Sequence, residues 1–416
     1  MSVLVGNMLI AQSGGANCAV NASLAGAIIQ AGKHPELIEE IYGGLNGVRG
    51  ILEERLIDLQ EEKQQTIMAL RYSPSAALGT TSYRIDPAAD PEQAQRDFER
   101  LFEVFAAHNI RYFFCTGGRA CQAMLHRIDQ EARRRAYELR VIGVPAAMDN
   151  TLPHTDHSPG YGSVIKCCAT AVLEIGRDAA SAADGEGRCC FVEVKGGNAG
   201  WVAGGTALAR RAPNEAPHLV LIPEAPVTPD ALRERIRAIV AEFGYCVGVV
   251  ADSVNLDAWG FPKMTAGDGC GPAARLAHLA QQDLGLTAAA LVLGDAPRSG
   301  AHLASAKDVD EAFECGMDAV LSAINGQTGF VVRLIRESNA PYKATVGLHT
   351  LADVVNMQNL VPREWIAEDG MLPNDHFLNY ARPLIQGQIE LNHDGGLPVY
   401  PSLSKVPVES RVAACP

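Results

Sequence analysis

Short apolar runs alternate with segments of helical periodicity along most of the chain. Runs at residues 8–11, 111–116, 139–144, 189–194 and 246–251 are continuous and mostly apolar, which predicts buried strands. The clearest helical segments between the predicted strands are residues 17–30, 163–180, 230–243 and 272–284. Buried strands separated by helices are typical of parallel sheets that helices cover on both faces. The pattern therefore predicts an α/β fold.

The pattern is less regular toward the C-terminus, where residues 330–334 and 344–348 are the candidate strands. The length of 416 residues corresponds to two or three domains, or to one large enzyme with two lobes. Hydrophobic residues make up 47% of the chain and charged residues 20%. This composition provides enough apolar side chains for a large core and excludes a disordered or fibrous protein.

Charge and cysteine content narrow the class of protein further. The net charge of −13 excludes a basic surface over the whole chain, so nucleic acid is not an expected partner. No stretch reaches the roughly 18 apolar residues of a membrane span. The eleven cysteines include no Cys-x-x-Cys pair, which favours reduced, buried thiols over a zinc site or disulfides. We therefore expect a cytoplasmic protein that binds a small molecule and neither nucleic acid nor a membrane.

Glycine pairs follow two of the predicted strands. Gly14 and Gly15 come after the first strand, and Gly117 and Gly118 come after the strand at 111–116. Glycines let the backbone approach an anion, and the N-terminus of a following helix offers free N–H groups. Tight turns would explain the same glycines. Arg119 begins the second helix, where a cation is unfavourable unless an anion or a carboxylate lies beside it.

A carboxylate follows a third strand. Asp149 comes just after the predicted strand at 139–144, and ligands of α/β sheets bind beyond the carboxyl ends of strands. An aspartate at this place is either a functional group of such a site or an ordinary helix N-cap. The residues alone leave both interpretations open.

The segments around these strand ends together resemble one family. The runs SGGANCAVNA, GVPAAMDNT and EVKGGNAGW are similar to motifs of the phosphofructokinase family, and AQSGG, NGVRGI, GYGSVIK and PRSGAHLAS are similar to its pyrophosphate-type branch. The resemblance covers nearly the whole chain. It implies two three-layer α/β lobes with mostly parallel sheets, a site in the cleft between the lobes, and a homodimer or homotetramer.

The resemblance also implies a division of the chain and a set of roles. Residues 1–160 plus about 297–345 would form the donor-phosphate lobe, and residues 161–296 plus about 346–400 the acceptor-substrate lobe. Asp149 would be the catalytic base. We also expect Arg119 beside the transferring phosphoryl group, although the family has no arginine at that position. The donor phosphates would lie on Gly14, Gly15, Gly117, Gly118 and Ser82. The substrate would lie on Lys195, Asn198, Asp252 and Arg298.

The chain departs from the family's motifs at the positions nearest to the chemistry. Arg119 stands where the family has an acidic residue that helps to hold Mg²⁺, and Thr151 where it has a second aspartate. Ser82 stands where the family has an arginine. The positive charge is either moved from position 82 to Arg119 or lost, with Arg119 a solvated surface residue. The metal ligands are therefore unknown, and the need for Mg²⁺ is in doubt.

Two further departures from the family's motifs bear on the phosphoryl donor and on the acceptor. Ala120 and Ala146 replace larger residues of the pyrophosphate users, and the space favours ATP as donor, with pyrophosphate as the alternative. Gly197 replaces an arginine that contacts the sugar phosphate. We therefore expect a phosphotransferase that phosphorylates a hydroxyl of a small molecule other than fructose 6-phosphate, in specialised metabolism. The alternatives are a non-catalytic or regulatory relative, or a different transfer or hydrolysis in the same cleft.

Overall fold

The computed structural model describes residues 4–182, 187–262, 271–355 and 357–413. In chain order, the strands are β1 (Gly6–Gln12), β2 (Ile38–Gly44), β3 (Leu56–Asp58), β4 (Ile110–Gly117), β5 (Arg140–Pro145), β6 (Arg188–Val194), β7 (Leu219–Leu221), β8 (Tyr245–Ala251), β9 (Thr287–Val292), β10 (Phe330–Asn339), β11 (Tyr342–Thr350), β12 (His393–Asp394) and β13 (Leu397–Pro398).

The α-helices, also in chain order, are α1 (Val20–Ala31), α2 (Gly47–Leu52), α3 (Gln64–Leu70), α4 (Pro91–Ala107), α5 (Arg119–Arg134), α6 (Tyr161–Ser181), α7 (Trp201–Gly205), α8 (Pro229–Phe243), α9 (Pro272–Leu284), α10 (Ala296–Ser299), α11 (Ala306–Ile324), α12 (Leu351–Val354) and α13 (Asp375–Ala381). No helix within the described ranges is long and apolar enough to cross a membrane.

Two sheets organise these elements. The first has the strand order β11-β10-β5-β4-β1-β2-β3, and its five central strands are parallel, with an antiparallel strand at each edge. The second has the order β7-β8-β6-β9 and is parallel throughout. The prediction of an α/β fold with mostly parallel sheets is confirmed. The boundaries of the two lobes stay a prediction.

Successive residues of a strand point to opposite faces of the first sheet, and each face has its own core. Leu9 and Phe113 pack on one face, in a cluster that includes side chains of α4 and α5. Met8, Ile10 and Phe114 pack on the other face, in a cluster with side chains of α1 and α11. The sheet is therefore the middle of three layers.

Helices α1 and α11 pack with their backbones in direct contact. A Cβ on Gly26 would lie 2.2 Å from the carbonyl oxygen of Phe313, and one on Gly316 would lie 2.0 Å from that of Ser23. Larger residues at either glycine would force the helices apart. This close packing fixes α11 against the first sheet.

Side chains of the second sheet share a single cluster with its surrounding helices. Phe191 of β6 and Val249 of β8 are fully buried there with Trp201 of α7 and Phe377 of α13. The carboxyl ends of β6 and β8 leave this core at Lys195 and Asp252, both of which are exposed. The loops that follow the strands are therefore anchored on well-packed sheets.

Candidate active site

The loops after β1, β4 and β5 lie side by side because these strands are neighbours in the first sheet. The Ser13 N–H donates to the Thr116 carbonyl at 2.9 Å, and the Ala146 N–H donates to the Gly117 carbonyl at 3.2 Å. A Cβ on Gly118 would lie 3.6 Å from the Ala146 oxygen. The three segments that the sequence singled out therefore meet at one edge of the sheet.

Asp149 lies in the loop after β5 and is partly buried. The Thr151 hydroxyl donates to its Oδ1 at 2.9 Å, and the Thr151 N–H approaches the same oxygen at 3.3 Å. Burial raises the pKa of Asp149 above its ordinary value, while the bonds from Thr151 and the charge of Arg119 lower the pKa in part. A carboxylate with a raised pKa in a cleft is suited to accept a proton.

Arg119 is the first residue of α5, directly after Gly118. Its side chain is exposed, and within the described ranges it forms no ion pair. It lies close enough to Asp149 for its charge to lower the pKa of that carboxyl. A free cation at a helix N-terminus needs an anion, and the adjoining glycine loop leaves room for one.

Asp149 faces a loop of the second sheet. A Cβ on Gly197, which has φ +66°, would lie 2.6 Å from Oδ2 of Asp149. The preceding glycine, Gly196, donates its N–H to Oδ1 of Asp252 at 3.0 Å. The loops after β5, β6 and β8 therefore lie around one space. The glycine loop after β6 lies between Asp149 and Asp252.

Two cations near the loop after β6 share one carboxylate. Asp295 lies 2.8 Å from Nζ of Lys195 and 3.5 Å from Nε of Arg298, and the hydrogen bond from Lys195 lowers its pKa. A Cβ on Gly15 would lie 3.4 Å from the Arg298 guanidinium. Arg298 thus connects the donor loop after β1 with the lysine after β6.

The structure leaves two of the predicted residues without a specific contact. Ser82 and Asn198 are exposed, and neither side chain forms a hydrogen bond with another described residue. Ser82 lies between Thr81, whose hydroxyl accepts from the Tyr83 N–H at 3.0 Å, and the buried Ile85. Their predicted roles rest on the resemblance and stay predictions.

Sequence analysis missed two residues that hold the Asp149 loop. Tyr380 bonds the side chain of Asn150, and Asn359 bonds the main chain of Asn150 and Thr151. Both lie more than 200 positions further along the chain. Asn359 lies in a segment that also contains Asn356 and Gln358, so no signal in the sequence singled it out, and no local pattern distinguishes Tyr380 from an ordinary core residue.

The donor set at the first sheet does not fit a magnesium ion. Mg²⁺ takes oxygen ligands, usually with one or two carboxylates from the protein. Arg119 and Thr151 occupy the family's acidic positions, and Asp149 is the carboxylate that remains. Within the described ranges, no group of three or more His, Cys, Asp or Glu side chains is placed to hold a metal ion. No step of a reaction is therefore assigned to a metal here.

Comparisons with known proteins agree with this geometry. The model of a family described as phosphofructokinase matches residues 7–323. The chain belongs to the phosphofructokinase family. The expectation of a phosphofructokinase-like phosphotransferase is confirmed at that level.

Several known proteins are similar to this chain over nearly its whole length. A protein of Halomonas elongata named pyrophosphate–fructose 6-phosphate 1-phosphotransferase is 38% identical, over 98% of both chains. One of the same name from Methylococcus capsulatus is 34% identical, again over 98% of both. The crystal structure of the pyrophosphate-dependent phosphofructokinase of Nitrosospira multiformis superposes with a TM-score of 0.91 at 35% identity, over 99% of this chain and 100% of that one.

These relatives correct the predicted substrate. The expectation of an acceptor other than fructose 6-phosphate is wrong, because proteins similar over the whole chain are named for that sugar phosphate. The expectation rested on the arginine lost at Gly197. Lys195 lies two residues before Gly197 and shares Asp295 with Arg298, so two cations remain near this position. The preference for ATP also loses its support, since the same names specify pyrophosphate.

Proposed function

We propose that this protein transfers a phosphoryl group from pyrophosphate to the 1-hydroxyl of fructose 6-phosphate. The observation that carries the proposal is the similarity, over 98% of the chain, to proteins named for that reaction. The cleft geometry supports it, because a proton acceptor, an anion loop and two cations converge there.

Asp149 is the base of the proposed reaction. It takes the proton of the sugar hydroxyl while the hydroxyl oxygen attacks the terminal phosphorus of pyrophosphate. The bridging P–O bond breaks, and orthophosphate leaves with the electron pair. The raised pKa of Asp149 favours this step, since a general base works best when its pKa is near the operating pH.

The donor phosphates lie, in this proposal, on the N–H groups of the glycine loops after β1 and β4. Gly14 and Gly15 form one side, and Gly117 and Gly118 form the other. Arg119 supplies positive charge at the phosphoryl group, and phosphoryl transfer depends mainly on such charge stabilisation and on positioning. Ser82 is assigned to the same side by the resemblance alone.

The acceptor lies on the side of the second sheet. Lys195 and Arg298 would bind the phosphate of the sugar, with Asp295 holding both cations in place. Asp252 and Asn198 would bind hydroxyl groups of the sugar. Gly197 supports this placement, because any side chain there would collide with Asp149: a Cβ would lie 2.6 Å from its Oδ2.

We also propose that the protein is a homo-oligomer, as the resemblance implies. The edge strand β9 supports this, because most of its residues are exposed and its side chains are apolar or small, with Val292 64% exposed. An unprotected apolar edge invites pairing with another strand. A cytoplasmic location stays a prediction from the sequence.

Steady-state kinetics with two donors test the proposed function. Fructose 6-phosphate is varied at fixed pyrophosphate and then at fixed ATP, with and without added Mg²⁺, and the product fructose 1,6-bisphosphate is coupled to aldolase. We expect turnover with pyrophosphate in the range of about 1–100 s⁻¹ that is typical of kinases. Turnover with ATP but not with pyrophosphate would refute pyrophosphate as the donor, and no turnover with either donor would refute the whole proposal.

A further inference from the structure

The residue after the proposed base has an unusual backbone conformation. Asn150 has φ 55° and is fully buried. A residue other than glycine in this left-handed region is uncommon, and it persists where surrounding contacts fix it. The contacts of Asn150 therefore also determine where Asp149 points.

Both polar atoms of the Asn150 side chain have a hydrogen-bond partner. Its Nδ2 donates to the Tyr380 hydroxyl at 2.9 Å, and its Oδ1 accepts from the Ser158 N–H at 2.9 Å. Its main-chain carbonyl accepts from Nδ2 of Asn359 at 3.0 Å. Ser158 belongs to the same loop, whereas Tyr380 and Asn359 come from a distant part of the chain.

Tyr380 is anchored in the core of the second sheet. It lies on α13 and packs against Trp201 and Trp365, with ring centroids 5.4 and 5.1 Å apart. Its hydroxyl donates to the Asp156 carbonyl at 2.8 Å while it accepts from Asn150. One hydroxyl therefore ties both halves of the loop between β5 and α6 to this aromatic cluster.

Asn359 connects the same loop to Trp201 by a second route. Its N–H donates to the Thr151 carbonyl at 3.0 Å, in addition to the side-chain bond to Asn150. Its own carbonyl accepts from Nε1 of Trp201 at 3.0 Å. Thr151 in turn donates to Asp149, so the chain of bonds runs from Trp201 to the base.

We propose that Asn359 and Tyr380 are positioning residues that hold the Asp149 loop against the core of the second sheet. Neither contacts the reacting atoms; both fix Asn150, and thereby aim Asp149 at the space beside Gly197. That space is narrow, since a Cβ on Gly197 would lie 2.6 Å from Asp149. The effect on catalysis rests on the proposed function, in which Asp149 is the base.

Two variants and one control test the proposal by kinetics. Tyr380→Phe removes one hydroxyl, and Asn359→Ala removes one side-chain donor while its main-chain bonds remain. A misplacement of about 1 Å costs roughly 10²-fold in rate, so we expect kcat to fall by up to that factor with little change in either KM. Tyr245→Phe is the control. It also removes a hydroxyl, which donates to the Asn214 carbonyl at 2.7 Å, but Tyr245 lies at the start of β8, away from the candidate site at the end of that strand.

Hydrogen exchange on the same proteins tests the loop independently of the reaction. Peptides covering residues 148–160 should exchange hydrogen faster in Tyr380→Phe and Asn359→Ala than in the wild type. In Tyr245→Phe the exchange rate of these peptides should equal that of the wild type. Unchanged exchange in both variants would overturn the proposal, as would faster exchange with unchanged kcat. A wild type that transfers nothing from pyrophosphate to fructose 6-phosphate would refute the proposed function instead, and the exchange rates would still decide whether these residues hold the loop.

Discussion

Asp149 lies between a cation and a glycine, and both neighbours affect its chemistry. Arg119 lowers its pKa against the effect of burial, and Gly197 leaves room in front of it. The sequence pointed to Asp149 and Arg119 because each follows a predicted strand of the first sheet. It could not predict that Lys195 and Arg298 share Asp295, since that ion pair depends on β9 lying beside β6 in the second sheet, which brings the ends of both strands together.

Replacing Asp149 by asparagine tests its role as the base. The variant keeps the shape of the side chain and the bond from Thr151 to the amide oxygen, but it cannot take a proton. Loss of a general base typically costs about 10²–10⁴-fold in rate, so kcat should fall by that factor. Calorimetry should show fructose 6-phosphate binding as in the wild type. A variant that keeps most of its turnover would show that another group takes the proton.

Arg119→Ala should weaken the binding of pyrophosphate and also shift the pH profile of kcat/KM. Hydrogen bonds to charged groups contribute about 1.5–3 kcal/mol, so KM for pyrophosphate should rise roughly 10- to 150-fold. Removing the positive charge also raises the pKa of Asp149, so the acid limb of kcat/KM should move to higher pH. Arg119→Lys keeps the positive charge, so its KM for pyrophosphate and its acid limb should both lie close to those of the wild type. An unchanged KM and an unmoved acid limb would make Arg119 a solvated surface residue.

At the scale of elements, the strands were easier to predict than the helices. Residues 200–211, for example, form α7 followed by a 3₁₀ turn at Thr206–Ala209 rather than one continuous helix. We made no prediction for α4, although Asp90 caps it, Pro91 begins it and its apolar residues recur at helical spacing.

Helix α11 was missed for a different reason. Its buried face consists largely of small residues and includes two buried acids, Asp308 and Glu311. Such a face lacks the contrast between apolar and polar positions on which helix prediction depends. The acids are explained only by tertiary contacts, since Asp308 accepts from Ser163 and Glu311 from His157 and Tyr342.

The contact between α11 and the loop after β5 predicts a pH dependence of stability. His157 is buried between Asp156 at 2.8 Å and Glu311 at 2.9 Å. Burial alone would lower the pKa of His157, but these two carboxylates raise it to about 9. A histidine with a raised pKa stabilises the fold below its unfolded pKa of about 6.5, and this contribution is lost as the pH rises through 9.

Unfolding by urea at pH 6.5 and at pH 9.5 measures this contribution. The loss of unfolding free energy between the two pH values should be on the order of 3 kcal/mol larger in the wild type than in a protein without this histidine. His157→Gln keeps a hydrogen-bonding side chain without the charge, so it should be less stable at pH 6.5 and show a smaller loss. An equal loss in both proteins would assign the pH dependence to other groups, such as the buried thiols.

At the scale of the whole molecule, the sequence predicted the fold class correctly and the substrate wrongly. Alternating strands and helices repeat over hundreds of residues, so local errors do not alter the class. The acceptor depends instead on a few charges that distant segments bring together. The prediction followed the arginine lost at Gly197, although the sequence also pointed to Arg298, which the fold places beside Gly15.

Phosphorus NMR of the complete reaction tests the central claim most directly. Pyrophosphate and fructose 6-phosphate are mixed with the wild-type protein, and the ³¹P signals of both substrates are followed over time. We predict that the pyrophosphate signal declines while orthophosphate and the 1-phosphate signal of fructose 1,6-bisphosphate grow in equal amounts. Orthophosphate growing at two per pyrophosphate, with no sugar bisphosphate, would show hydrolysis and contradict the account. An unchanged spectrum would contradict it as well.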